Sequence, residues 1–270
     1  MSETHPPKAY KNQDFLGGAE ARPLRLLAEF LEPKQRFSQH GINNTVVMFG
    51  SARIQTDEEA QKACDSIRQR LAQSDGKAPH LEQALRIAER RATLSAMYDD
   101  TREIARRLTE WSLSLDESSR IVICSGGGPG IMEAANRGAQ DAGGVSVGLN
   151  ISLPFEQEPN PYIPPPLSFE FHYFFMRKFW FAYLCRAVVV FPGGFGTLDE
   201  MAELVTLAQT GKLQKQIPIV LYNRQYWDEV LNLQALVDWG MISSSDLDLF
   251  TWCNTPDEAV GCLTNVLNGS

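Results

Sequence analysis

The sequence is short of the features that would place it outside the globular enzymes. It has no apolar stretch near the ~20 residues that span a bilayer, so a membrane partner is not expected. Its five cysteines (64, 124, 185, 253 and 262) are odd in number and form no CxxC pair, which excludes a disulfide scaffold and suits a reducing compartment. Cys124 and Cys185 sit within apolar runs and read as buried thiols. The four histidines (5, 40, 80 and 172) show no metal-ligand spacing, so no metal and no cofactor are expected, and His172 reads as a packed or hydrogen-bonded residue. Basic residues are also in the minority: 25 Lys and Arg against 33 Asp and Glu leave a net charge of −8. A nucleic-acid polymer needs a basic face and is not an expected partner, whereas a small phosphorylated ligand needs only a local positive site. The opening MSETHPPKAYKNQD has no basic start followed by an apolar run; it does not read as a signal peptide, and a cytoplasmic protein is predicted.

What is present is ordinary in amount, with 43% hydrophobic residues in 270, enough to bury a core without staples, and distinctive in order. Residues 1–20 are polar, with Pro and Gly, and read as a mobile arm; 23–37 follow as a short amphipathic helix, and 1–43 stand apart from a main domain over 44–270. Apolar β-branched runs at 44–49 (NTVVMF), 120–124 (RIVIC), 145–151, 187–191 (AVVVF) and 217–222 (IPIVLY) predict buried strands. Between them lie helical patterns at 131–141, 171–186, 197–209 and 226–239, while the proline-rich 153–168 predicts a loop. Residues 57–95 are charged and helical, broken near 74–77, and read as an inserted helical hairpin. Strands alternating with helices predict a Rossmann-like, doubly wound parallel sheet covered on both faces, with ligands at the carboxyl ends of the strands.

Two glycine-rich turns fall at that edge: SGGGPG (125–130) and PGGFGT (192–197). Glycines let a backbone approach a ligand, and the free N–H groups of the helix that follows make an anion site. Neither turn is a Walker loop, and neither spaces its glycines as G-x-G-x-x-G, which favours a mononucleotide or sugar phosphate over a dinucleotide. Thr197-Leu198-Asp199-Glu200 matches a capping box, so Glu200 reads either as a cap or as a carboxylate in the cleft. Glu133 and Arg137, four apart, read either as a surface ion pair or as a cleft carboxylate with its neighbour. Arg177 and Lys178 interrupt the aromatic run FHYFFMRKFWFAY (171–183) and suggest a buried edge at a pocket or interface.

Taken in order, GGGPGIMEAANRGA (126–139), the Arg177-Lys178 pair and PGGFGTLDE (192–200) resemble the LONELY GUY (LOG) family, the cytokinin-activating phosphoribohydrolases and their bacterial relatives, often labelled lysine decarboxylase-like. FGSAR (49–53), LPFEQEPNPY (153–162) and LAQTGK (207–212) extend the similarity over about 44–258, closest to the longer bacterial branch. The resemblance implies hydrolysis of the N-glycosidic bond of a nucleoside 5′-monophosphate, AMP-like or a cytokinin riboside monophosphate, to free base and ribose 5-phosphate, in a homodimer or larger homo-oligomer. By motif position it implies Arg177 and Glu200 as the catalytic pair. Gly193, Gly194, Gly196 and Thr197 would hold the phosphate, with Ser51, Gly127, Gly128, Glu133 and Lys178 as further substrate contacts. Plant-type members carry Met-His where this chain has Phe174 and Phe175, a departure that bears on the base more than on the reaction type. A pyridoxal-type decarboxylase needs a Schiff-base lysine and a carboxylate partner for the cofactor, and the sequence offers neither constellation. The competing class is a non-catalytic nucleotide-binding sensor or carrier, since fold does not fix function.

Overall fold

A computed structural model describes residues 6–74, 78–154, 158–212 and 217–268. Seven strands form one sheet: β1 (Thr45–Phe49), β2 (Val122–Ser125), β3 (Ser146–Ile151), β4 (Ser168–Phe171), β5 (Cys185–Val190), β6 (Ile219–Tyr222) and β7 (Phe250–Cys253). Their order is β4-β3-β2-β1-β5-β6-β7 and every neighbouring pair is parallel. Side chains alternate across a strand, and β1 shows the result: Val46 and Met48 enter one core, Val47 and Phe49 the other. The first core is closed by the helices Ala96–Leu113, Ile131–Asp141 and Pro256–Asn268; the second by Arg22–Gln39, Phe174–Tyr183 and Phe195–Gln209. This is the Rossmann-like α/β fold, a parallel sheet with helices on both faces.

The chain winds outward from β1 through β2 and β3 to β4, then returns to place β5 on the opposite side of β1. The strand order therefore reverses between β1 and β5, the position at which open parallel sheets leave a crevice for ligand. Two backbone bonds carry the pairing past the strand ends: Phe191 N–H donates to Phe49 O (2.8 Å), and Ser51 N–H donates to Pro192 O (3.0 Å). They fix the two loops that flank the crevice.

Several elements differ from the sequence expectation. Residues 168–171 form an edge strand and the aromatic helix starts only at Phe174; β7 and the Pro256–Asn268 helix are additional. The helical pattern at 226–239 is two short helices, Arg224–Val230 and Leu233–Asp238, the second capped by the Asn232 side chain on Ala235 N–H. Residues 57–95 contain the helices Asp57–Ala72 and Pro79–Ala92, bridged by Arg68 and Glu89 at 2.8 Å. The break expected at 74–77 lies mostly outside the described residues. Among the described residues no helix is long and apolar enough to cross a membrane.

The N-terminal segment is bound to the body. Residues 6–21 carry a short helix, Gln13–Gly17, and two 3-10 turns, and the Arg25 guanidinium donates to Leu16 O (2.6 Å) and Gly18 O (2.7 Å). The Arg22–Gln39 helix lays Phe30 and Phe37 against Trp180. Its Glu29 carboxylate accepts from His172 N–H (2.8 Å), and Glu29 O accepts from the Trp180 indole (2.9 Å). It is thus a buttress behind the helix that carries Arg177.

Candidate active site

At the crevice between β1 and β5 lies a cleft of about 350 Å³. Its floor is the turn after β1, with Gly50 and Ser51. One wall is the Phe174–Tyr183 helix with Phe174, Arg177 and Phe181, and opposite it Gly194, Gly196, Thr197 and Glu200 open the Phe195–Gln209 helix. Met132, Ile151 and Leu153 give an apolar side, and Arg53 stands on the exposed rim.

Glu200 decides between its two sequence readings. The Phe195–Gln209 helix begins at Phe195 with Gly194 as N-cap and no side-chain cap, so Thr197 is already inside the first turn and the capping-box register is wrong. Instead Glu200 Oε1 accepts from Arg177 Nη2 at 2.5 Å, with the side chains 6% and 13% exposed. A buried ion pair is costly to break from one side, about 3–5 kcal/mol, so each partner is held in place by the other. Burial pushes the Glu200 carboxyl above the usual carboxylate range, and the Arg177 guanidinium pulls it part of the way back. The guanidinium lies 5.6 Å from the Phe174 ring centre and 5.5 Å from that of Phe181, flanked by aromatic faces that favour a cation. Its Nε is buried without a partner among the described residues.

The PGGFGT turn is shaped to receive something. A Cβ on Gly193 would sit 2.1 Å from Thr197 Oγ1, so glycine is required there; Gly194 and Gly196 have open space around theirs. The Gly193 carbonyl is taken by the Tyr226 hydroxyl at 2.7 Å, a contact between residues 33 apart that no motif announces. The uncapped N-terminus offers the unpaired N–H groups of a helix's first turn together with the positive end of its dipole.

The other residues singled out from sequence divide. Ser51 lines the cleft, and its Oγ accepts from Arg53 N–H (3.1 Å). Lys178 points to the outer side of the Phe195–Gln209 helix, bound to Asp199 (2.7 Å) and Glu203 (3.1 Å). Glu133 accepts from the Tyr98 hydroxyl (2.6 Å), beside the Ala96–Leu113 helix; burial, with that carboxylate, pushes the Tyr98 phenol upward. Arg137 pairs with Tyr98 and lies over the Tyr162 ring, so Glu133 and Arg137 meet through the phenol. Gly127 and Gly128 lie in the buried turn after β2, behind Gly126, which does line the cleft.

A family model described as "Possible lysine decarboxylase" matches residues 132–263, the span holding Arg177 and the PGGFGT turn. The match spans 132 of the chain's 270 residues, over which the chain is similar to this family. No curated protein matches the chain. Among solved structures, the TM1055 protein is 22% identical, covering 82% of this chain and 99% of its own, with a TM-score of 0.49. The molybdenum cofactor binding protein from the phototrophic bacterium Rippkaea orientalis is 17% identical over 63% of this chain and 88% of its own, TM-score 0.47. The molybdenum cofactor carrier protein from Chlamydomonas reinhardtii is 19% identical over 64% and 89%, TM-score 0.43.

The residues of the matched span do not fit the reaction in the family's description. A lysine decarboxylase of the pyridoxal type requires a lysine within reach of the cofactor. No described residue lining the cleft is a lysine, and Lys178, next to Arg177 in sequence, is occupied by two carboxylates on the far side.

Proposed function

We propose that this protein hydrolyses the N-glycosidic bond of a nucleoside 5′-monophosphate, giving the free base and ribose 5-phosphate. The observation that carries the reading is the buried Arg177–Glu200 pair lining the same small cleft as the uncapped N-terminus of the helix that carries Glu200. The phosphate would rest on the N–H groups and hydroxyl of Gly194, Gly196 and Thr197. Its binding energy then positions C1′ without entering the chemistry.

Cleavage of such a bond passes through an oxocarbenium-like ribose, with the electron pair leaving on the base nitrogen. In the overall reaction water supplies hydroxide to C1′ and a proton to the departing base. Glu200, ionised, stabilises the cation and the ribose hydroxyls or accepts the proton of the attacking water. Arg177 carries a guanidinium, which offers donors and no acceptor, so its part is to orient Glu200 and stabilise the negative charge growing on the leaving base. The apolar side formed by Met132, Ile151, Leu153 and Phe174 suits the face of a base.

The test is incubation of purified protein with AMP, GMP, CMP and N6-isopentenyl AMP, with base release followed by chromatography and Glu200→Ala alongside. Base release lost in the variant supports the reading and ranks the substrates. Nucleotide binding without base release from any of them would leave a non-catalytic nucleotide-binding protein.

A further inference from the structure

One polar side chain lining the cleft takes no part in the proposed chemistry. Asn150 stands near the carboxyl end of β3, half-buried, among the apolar lining residues Met132, Ile151 and Leu153. Its Nδ2 donates to Phe169 O of β4 (3.0 Å) and to Ser168 Oγ (3.4 Å). A backbone carbonyl only accepts, so the atom facing it must be the amide nitrogen, and the orientation of the carboxamide follows from the chemistry. A Cβ on Gly127 would lie 2.3 Å from Asn150 Oδ1, so the glycine turn after β2 packs against the same group. Among the described residues nothing donates to Oδ1, and it is not sealed from solvent. With the nitrogen turned to β4, the oxygen is the part of the carboxamide left for the cleft.

The sheet order says which part of a nucleotide would meet it. β2 and β1 lie between β3 and β5, so Asn150 is three strand spacings from the PGGFGT turn, about 14 Å. With a phosphate on that turn, the end of the nucleotide that reaches β3 is the base. A base laid on the apolar side strips the water from Oδ1, and an acceptor that loses its water without gaining a donor is costly. A base that presents an N–H to Oδ1 restores the bond. A base that presents a carbonyl oxygen does not, because the group held here accepts and cannot donate.

We propose that Asn150 determines which base the cleft takes: its Oδ1 accepts from the exocyclic amine of the base and so favours an amino base over a keto base. The assignment rests on reading the cleft as a nucleoside 5′-monophosphate site. It also gives the glycine at 127 a reason, since a side chain there would displace the Asn150 carboxamide.

Full-length wild type is compared with Asn150→Ala and with Asn150→Leu, which keeps nearly the same shape without hydrogen bonds. Affinities for AMP, IMP and purine riboside 5′-monophosphate (AMP without its amine) are measured by calorimetry, and kcat/KM by base release. Wild type binds AMP about tenfold more tightly than the amine-free nucleotide, and IMP no better than the latter. Both variants lose affinity for AMP and keep it for the amine-free nucleotide, so the preference disappears; either variant serves if the other does not fold. A structural role alone would weaken all three nucleotides equally, and that result overturns the proposal. So do variants that retain the preference. Wild type that binds IMP or the amine-free nucleotide as well as AMP overturns it without any variant. Wild-type protein that binds AMP and releases no base removes the catalytic reading alone, and Asn150 is then judged by calorimetry. Wild-type protein that binds none of the three overturns both.

Discussion

The two glycine-rich turns look alike in sequence and are opposites in structure. SGGGPG after β2 is tied down: Gly127 sits at φ +75°, a Cβ there would lie 2.3 Å from Asn150 Oδ1, and both neighbouring carbonyls are held by Asn160. PGGFGT after β5 is open: Gly194 and Gly196 have nothing within 4 Å of a would-be Cβ, and Phe195 between them is 91% exposed. Glycine in the first turn answers to the protein's own packing. In the second it leaves room for something the chain does not supply. Counting glycines does not separate these cases; asking what each missing Cβ would meet does.

The comparison breaks most decisively at Glu200, the carboxylate that serves the open turn. Glu200→Ala should lower base release by at least ~10²-fold, while AMP binding by calorimetry largely survives. Loss of binding in step with activity would show that the pair merely holds the cleft together. Next comes Gly127→Ala in the tied turn. A left-handed backbone and a blocked Cβ together should cost about 2–4 kcal/mol, read as a lower denaturation midpoint; a variant as stable as wild type would mean the turn is not tied as described.

A smaller effect concerns pH. Burial raises the Glu200 carboxyl above its ordinary value of 4.5, so the acid limb of the base-release profile should have its midpoint above that value. The same shift sets a sign for stability. The native state holds this proton more tightly than the unfolded chain, so the burial cost is absent below the unfolded carboxylate range. It is fully felt once pH exceeds the native pKa. The stability of wild type relative to Glu200→Gln should therefore fall as pH rises through and above the ordinary carboxylate range, measured by denaturant midpoints; a flat or rising difference would count against the buried carboxyl. Smallest is Gly196→Ala. Within the helix it should stabilise by about 0.5–1 kcal/mol, yet weaken AMP binding because the added methyl enters the cleft. Stabilisation with unaltered affinity would place the ligand elsewhere.

The sequence made the central strands legible because β1, β2, β3, β5 and β6 are rich in apolar residues, as strands covered on both faces are. The edge strands β4 and β7 escaped. SFEF and FTWC each mix buried and partly exposed positions, and β4 merges with an aromatic run that continues into a helix. At the site, Arg177 and Glu200 came from the motif order, but their pairing could not be read from residues 23 apart. TLDE spells a capping box; only the start of the helix at Phe195 shows that the register is wrong. Asn160 was illegible for a plainer reason: an asparagine between prolines reads as a turn residue, and its work is done across 33 residues of chain at Gly127.

The buttress behind Arg177 bears on the order in which the molecule assembles. Glu29 meets its partners His172 and Trp180 at sequence separations of 143 and 151 residues. Contacts so distant along the chain carry a large loop-closure cost and form late. During synthesis the Arg22–Gln39 helix leaves the ribosome long before Trp180 exists to receive it. For that interval its apolar stripe has no surface of this protein to cover. The wall that presents Arg177 to the cleft thus gains its backing only after β4 and the aromatic helix are made, so the site matures behind the sheet that frames it.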